Sequence, residues 1–215
     1  MLEANPEDIE VDGAEYRVKG SPDKKKTIQE IAFALDLAFD TPEGMEPYLD
    51  ETAYHDTPNC TWPFGTHIAL VEVDEETGVV DLVRYVAVDD VGKKINPMIV
   101  DGQLHGGIAQ GVGQAIWEEA VYGADGQLLS GSLLDYALPR ASWFPTFELD
   151  ETVTPSPVNP LGVKGVGEAG AIASTAAVAN AVNDALSAYG IRHLDMPFTP
   201  RKVWHALQQA KEAQA

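Results

Sequence analysis

The stretch from Leu161 to Gly170, LGVKGVGEAG, constrains the fold more than any other part of the sequence. Its four glycines allow sharp turns and a close approach of the backbone to a neighbouring group. Residues 171–188 then predict a helix, because apolar side chains repeat at helical spacing. These are Ile172, Ala176, Ala179, Val182 and Leu186. Glu168 enters this helix as a charge that stabilises the helix dipole or as a group held for chemistry, with Lys164 as its neighbouring cation.

Composition excludes several classes of partner. The chain has 34 acidic and 14 basic residues and a formal net charge of −20, which argues against nucleic acid and against an anionic membrane surface. Cys60 is the only cysteine, so no disulfide framework or cysteine-bound zinc site forms within the chain. No signal peptide or apolar run of spanning length is present, and a cytoplasmic location is expected.

The first third of the chain predicts a hairpin, a helix and a connection. Ile9 and Val11 alternate up to the turn Asp12-Gly13, which predicts a hairpin within residues 1–26. Thr27 and Glu30 have the spacing of a capping box and predict the start of a helix. Residues 40–63 are rich in proline, acids and aromatics and are interpreted as a long connection.

The middle of the chain predicts a second hairpin and an unusual helix. Residues 67–73 and 79–88 are rich in β-branched side chains and predict two strands. Asp89 and Asp90 are interpreted as turn residues rather than a cation site. The helix expected over 98–119 contains five glycines, and three of them share a face with Gln110. These three are Gly102, Gly106 and Gly113. Close backbone packing and a ligand site both remain possible explanations.

The remaining elements indicate an α+β fold. We expect a turn at 122–126, an extended segment at 131–139, a strand at 147–150 and a helix at 200–210, without βαβ alternation. Gly165, Gly167 and Gly170 match the spacing of the dinucleotide fingerprint. A proline-rich loop precedes them where that fingerprint needs a buried strand, so the Rossmann interpretation is disfavoured.

Several motifs together resemble one enzyme family. Residues 101–115 (DGQLHGGIAQGVGQA) are similar to the glycine-rich helix of molybdenum hydroxylases, and residues 160–170 (PLGVKGVGEAG) to their active-site glutamate loop. Residues 136–139 (YALP) and 195–197 (DMP) match as well. The whole chain resembles the C-terminal quarter of the large subunit of the xanthine dehydrogenase, aldehyde oxidase and aerobic carbon monoxide dehydrogenase family.

The resemblance implies a fold and a set of site residues. It implies a two-layer α-β sandwich, the C-terminal portion of a molybdopterin-binding domain over 1–215. Residues 1–65 would form the hairpin, helix and connection, and 66–215 the cofactor-binding part. Glu168 would be the catalytic base, and no protein residue would bind the metal. The implied cofactor contacts are Gly107, Gln110, Gly111, Lys164, Gly165, Val166 and Gly167.

The resemblance also implies cofactors and partners. The cofactor would be molybdopterin with Mo, as the cytosine dinucleotide, with FAD and 2Fe-2S clusters on partner subunits or domains. The partners would be the remainder of the large subunit and the FAD-binding and iron–sulfur subunits. The reaction would oxidise an aldehyde, N-heterocycle or carbon monoxide with water-derived oxygen, and the isolated chain would be inactive. The alternative is a catalytically silent, cofactor-free binding or assembly module of the same fold.

Overall fold

The structure, a computed structural model, describes residues 1–38, 41 and 44–214. Contacts within the chain divide it into two compact units, Met1–Asp56 and Thr57–Ala215. The sequence places the division at residue 65, so the end of the expected connection lies within the second unit. Of that connection, residues 40, 42 and 43 lie outside the described residues, and 44–63 contain neither helix nor strand.

The first unit is a small antiparallel sheet followed by one helix. The strands are β1 (Ile9–Asp12), β2 (Glu15–Val18) and β3 (Ser21–Thr27), and the helix is α1 (Ile28–Leu37). The predicted hairpin is confirmed, with Gly13 at φ 59° in its turn. The third strand was missed because its sequence, SPDKKKT, has the proline and lysines of an exposed edge rather than an apolar alternation.

The start of α1 is the capping box that the sequence predicts. The Thr27 side chain accepts from the Glu30 N–H, and the Glu30 carboxylate accepts from the Thr27 N–H at 2.9 Å. This hydrogen bond, followed by that from Lys26, lowers the pKa of Glu30 to about 2. Ala38 closes the helix in the left-handed conformation, at φ 50°.

The second unit is built on a mixed three-stranded sheet. Its strands are β4 (Phe64–Val73), β5 (Val80–Asp90) and β6 (Phe147–Glu151), in the order β4-β5-β6. The β4–β5 hairpin and β6 are confirmed, but β6 pairs with β5 in parallel, a long-range pairing that local patterns do not encode. Asp89 and Asp90 are the last residues of β5 and are buried, so the predicted turn at these positions is wrong.

Three helices accompany this sheet. They are α2 (Pro97–Ile116), α3 (Ala169–Ser187) and α4 (Pro200–Gln214). All three contribute buried side chains to one core shared with the sheet, which includes Tyr85, Ile108, Val182, Phe198 and Leu207. On the opposite face of the sheet, Ile68 and Leu70 are exposed. The result is the two-layer α+β arrangement that was expected. Among the described residues, no helix combines the length and hydropathy of a membrane span.

Two further local predictions were wrong. Within residues 131–139, which were expected to be extended, residues 132–136 form a turn, because the N–H groups of Asp135 and Tyr136 both donate to Ser132 O. The buried face of α3 is also rotated from the expected one. It consists of Ser174, Val178, Val182 and Leu186, together with Ala169 and Gly170. Ile172 is 68% exposed, because α2 packs against the Gly170 side of the helix.

Candidate functional site

The Glu168 loop, residues 161–168, is joined to the segment that follows β5. Gly92 and Val163 form an isolated antiparallel bridge. Gly92 and Gly162 have φ values of 65° and 70°, and a Cβ at Gly92 would collide with the Gly162 carbonyl oxygen. Glycine is therefore needed at both positions so that the two backbones meet.

Lys164 is buried at the end of this bridge. Its N–H donates to Val91 O at 2.9 Å, and its Nζ donates to Asp90 Oδ1 at 2.9 Å. The two side chains are only 8% and 0% exposed. The ammonium group also lies 4.4 Å from the centre of the Phe64 ring. The sequence suggests Lys164 as the cation beside Glu168, but the ammonium group of Lys164 forms an ion pair with Asp90.

Asp90 is held ionised by its surroundings. Burial by itself raises the pKa of this carboxyl, but hydrogen bonds from Lys164, the Gly92 N–H, Thr154 and Thr152 outweigh burial and hold the pKa well below its usual value. The Gly92 N–H donates to Oδ1 at 3.0 Å, and Thr152 Oγ1 donates to Oδ2 at 3.1 Å. The carboxylate thus joins β5, the loop after β6 and the Glu168 loop.

Glu168 is the residue immediately before α3. Its carbonyl oxygen accepts from the N–H groups of Ala171 and Ile172, at 3.0 and 3.1 Å. Its side chain makes no capping hydrogen bond and is exposed. The start of α3 remains next to this carboxylate, whereas the charge of Lys164, its expected neighbour, is paired with Asp90. The carboxylate is accordingly accessible to a ligand.

Glycines bring α2 and α3 into direct backbone contact. A Cβ at Gly107 would lie 2.9 Å from Gly170 Cα, and one at Gly111 would meet the Ser174 hydroxyl and, at 3.0 Å, the Thr175 N–H nitrogen. Both glycines are buried. The structure thus gives Gly107 and Gly111 a role in helix packing, and their contact with a cofactor remains a prediction.

Packing within the described part of the chain does not explain why four other positions are glycine. A Cβ at Gly102, Gly106 or Gly165 would meet nothing within 4 Å, and one at Gly167 only Gln103 Oε1 at 4.0 Å. None of the four has a positive φ, and all are exposed. Gly113 differs from this group because it is buried against Pro139 and Glu118. The expected stripe of Gly102, Gly106 and Gly113 is therefore open at its first two positions only.

The amide side chains of α2 extend this open region. Gln110 is exposed, and so is Gln103, whose side chain faces Gly167. Gln103, Gly106 and Gln110 are spaced i, i+3 and i+7, so they lie on one helix face over about 10 Å. Gln103 was missed in the sequence, although this spacing was available to identify it. We call Gln103, Gly106, Gln110, Gly165, Gly167 and Glu168 the open surface.

Val166 is oriented differently from its two glycine neighbours. Its side chain packs against a small buried cluster beneath the loop. That cluster consists of Val91, Val100, Leu104 and Ala169. Only the backbone of Val166 is therefore available to a ligand on the open surface, whereas Gly165 and Gly167 on either side are exposed.

A buried polar chain connects the sheet to α3. His67 Nε2 lies 3.1 Å from Asp89 Oδ2, and His67 Nδ1 lies 2.8 Å from Tyr85 Oη. Burial, followed by the charge of Asp89, raises the pKa of Tyr85, whose hydroxyl also bonds Ser174. Nothing in the sequence pattern signalled this chain, because its members come from three separate elements.

His105 is hydrogen-bonded within its own helix, and the described residues contain no metal-binding cluster. His105 of α2 has its Nδ1 2.8 Å from Asp101 O and its ring 5.6 Å from that of Phe147. Within residues 1–38, 41 and 44–214, no group of three or more His, Cys, Asp or Glu side chains is arranged to hold a metal ion.

Comparison with known proteins gives one family. The molybdopterin cofactor-binding domain family matches residues 1–145, which include Gln110 but end before the Glu168 loop. The carbon monoxide dehydrogenase large chain of Hydrogenophaga pseudoflava is 42% identical over 209 residues, 97% of this chain and 26% of the relative. The nicotine 6-hydroxylase large subunit of Paenarthrobacter nicotinovorans is 40% identical, over 96% of this chain and 25% of the relative.

Solved structures agree with the sequence comparison. Reconstituted carbon monoxide dehydrogenase from Oligotropha carboxidovorans has a TM-score of 0.87 and 40% identity, over 99% of this chain and 26% of that one. Quinoline 2-oxidoreductase from Pseudomonas putida 86 has a TM-score of 0.85 and 38% identity, over 97% of this chain and 27% of that one. The chain spans about a quarter of the length of these relatives. It belongs to the molybdopterin cofactor-binding domain family.

Proposed function

We propose that the chain forms one wall of a molybdenum hydroxylase active site, with Glu168 as the base of the reaction. The open surface carries this proposal. Three of its positions are glycines that neither backbone conformation nor packing within the described chain explains, and they lie beside two exposed amides and an accessible carboxylate. A flat, polar cofactor that approaches the backbone closely fits this combination.

The residues of the open surface take distinct parts in this proposal. Gln110 and Gln103 donate and accept hydrogen bonds through their amides, as a pterin ring edge requires. The backbone from Lys164 to Gly167 would line the cofactor. Gly107 and Gly111 would support the cofactor site indirectly, because they allow α2 to approach α3 closely. Glu168 accepts a proton at its exposed carboxylate. The molybdenum centre, when bound, supplies the capacity to accept the two electrons of the oxidation.

The substrate class, the form of the cofactor, the partner subunits and the location are part of the same proposal. The relatives named for carbon monoxide, nicotine and quinoline support a small-molecule substrate, without selecting one. We extend the proposal to the cytosine dinucleotide form of the cofactor, to FAD and 2Fe-2S clusters on partner subunits, and to a cytoplasmic location. The remainder of the large subunit is the immediate partner, and the isolated chain is inactive. The free, exposed Cys60 fits a reducing compartment.

Filling the open surface tests the proposal. Gly165→Val in the complete enzyme adds a side chain at an exposed position where a Cβ would meet nothing within 4 Å, so folding should change by less than about 0.5 kcal/mol. Bound molybdenum, measured by elemental analysis, should fall severalfold. Ala124→Val is the matched control, because Ala124 lies on an exposed turn. It should retain full molybdenum.

The alternative module gives a different result in the same experiment. A cofactor-free protein would show no molybdenum in the unsubstituted complex and no difference between the two variants. Full molybdenum in the Gly165→Val enzyme would mean that the open surface is not the cofactor wall.

A further inference from the structure

We infer that the buried pair of Asp90 and Lys164 is a positioning device that fixes where Glu168 stands relative to the sheet. The Lys164 side chain touches no reacting group, because it is buried against Asp90, and it acts through the loop. The inference rests on the proposed function for its catalytic consequence. Its structural part, the anchoring of the loop by the pair, stands independently of that function.

The anchoring of the loop to the β5 side ends at Lys164. Backbone bonds tie the loop to the β5 side through Gly162 and Lys164, whose partners are the Lys93 N–H at 3.0 Å and Val91 O at 2.9 Å. Beyond Lys164, the N–H of Gly165 donates only to Thr61 Oγ1, at 3.2 Å. Lys164 is thus the last residue before Glu168 that is bonded to the segment following β5.

The far end of the loop is fixed as well. The Ala169 N–H donates to Val166 O at 3.1 Å, and α3 begins at Ala169. Gly170 is fixed against Gly107 of α2. Glu168 lies between these two attachments, four residues from Lys164. With two glycines in that interval, the attachments rather than local stiffness determine the position of the carboxylate.

The residues that anchor the loop are a charged pair rather than apolar side chains. A buried ion pair is commonly no more stabilising than well-packed apolar residues of similar volume, because both charges lose their hydration. What a charged pair adds is direction. Lys164 Nζ has one close carboxylate, and Asp90 accepts from the Gly92 N–H and Thr152 as well. An apolar replacement fills the space without selecting one register of the loop.

The test compares three variants of the complete enzyme, Asp90→Asn, Lys164→Met and the double variant. Each single change leaves a partner buried without its counter-charge, and thermal stability should fall. The double variant removes both charges, so its thermal stability should recover towards that of the unsubstituted enzyme. The kcat per bound molybdenum should nevertheless stay low, by about 100-fold, with KM little changed, because a displaced group loses rate without losing substrate binding.

A purely stabilising role predicts that kcat per bound molybdenum recovers together with thermal stability in the double variant, and that result would overturn the inference. Leu207→Ala is the matched control. Leu207 is fully buried in α4 and distant in sequence from the loop, so this variant loses stability without touching the pair. Its kcat per bound molybdenum should remain that of the unsubstituted enzyme.

Hydrogen exchange provides a readout that needs no turnover. The Lys164 amide should exchange faster in the double variant than in the unsubstituted protein, on the order of tenfold, while amides of α4 are unchanged. Unchanged exchange at Lys164 would refute the anchoring itself. An unsubstituted enzyme without molybdenum would refute the proposed function alone, and the exchange result would still decide whether the pair holds the loop.

Discussion

Glu168 has an exposed carboxylate that takes no part in capping its own helix. If it is the base, Glu168→Gln in the complete enzyme should lower turnover by about 100- to 10,000-fold, because the amide cannot accept the proton. Molybdenum content should stay near normal, since glutamine adds neither bulk nor charge. Steady-state rates normalised to bound metal provide the measurement.

Gln110→Ala is the comparison for that experiment. Removing an amide that hydrogen-bonds the cofactor should lower molybdenum occupancy first and the rate per bound molybdenum less. A Glu168→Gln enzyme with full molybdenum and a rate within a few-fold of the unsubstituted enzyme would contradict the catalytic assignment. In that case Glu168 would be only a charge at the start of a helix.

Asp90 gives the second unit a predictable acid sensitivity. Its pKa is lowered on folding from the usual 3.8, so its contribution to stability is present above pH 3.8 and is lost as the pH falls further. The difference in unfolding free energy between the unsubstituted chain and Asp90→Asn should therefore be largest near neutral pH and shrink in acid. Denaturant unfolding followed by tryptophan fluorescence measures it, because all four tryptophans lie in the second unit.

A difference that stays constant down to about pH 2 would show that Asp90 is not ionised in the folded chain. At the scale of residues, the sequence suggested Glu168 and Gln110 by resemblance, and their roles remain predictions. It did not identify the partner of Lys164, because Asp90 is distant in the chain and was interpreted, together with Asp89, as a turn residue. Gln103 was accessible from helical spacing alone.

Adjacent glycines of α2 should respond in opposite ways to the same substitution. Gly107→Ala places a methyl group against the Gly170 backbone and should lower the unfolding free energy by about 1–3 kcal/mol. Gly106→Ala meets nothing within 4 Å and should raise it by up to about 1 kcal/mol, because alanine favours the helix. Denaturant unfolding of the two variants in parallel gives the comparison.

Equal effects from the two substitutions would mean that α2 and α3 do not meet as described.

At the scale of elements, most helices and strands were predictable, because the capping box at Thr27 and the alternation in β4 are local signals. Which glycines face α3 was not predictable. The helix period groups Gly102, Gly106 and Gly113, whereas the crossing uses Gly107 and Gly111.

At the scale of the molecule, many large apolar side chains are exposed. Leu134, Met98 and Ile172 are 93%, 78% and 68% exposed. Such surface favours association, so the chain purified alone should self-associate and bind a hydrophobic dye. Analytical ultracentrifugation with dye fluorescence measures both properties, and the complete enzyme should bind less dye per chain.

Replacing Leu134 and Ile172 by serine should reduce both signals, and a monomeric chain without dye binding at high concentration would contradict the prediction.

The α+β class followed from the order of local elements. The parallel pairing of β5 with β6 did not, because it joins segments separated by α2 and by a turn that the sequence misassigned.

The alternation within the Glu168 loop has a consequence for how this segment tolerates mutation. Lys164 and Val166 face the interior, whereas Gly165 and Gly167 between and after them face outward. A saturation library scored separately for cellular abundance and for growth on the substrate would therefore separate the loop into two interleaved classes. Changes at the inward positions would lower both scores, and changes at the outward glycines would leave abundance intact while growth is lost. Selection for expression alone would let the outward glycines drift and would erase the site without any loss of folded protein.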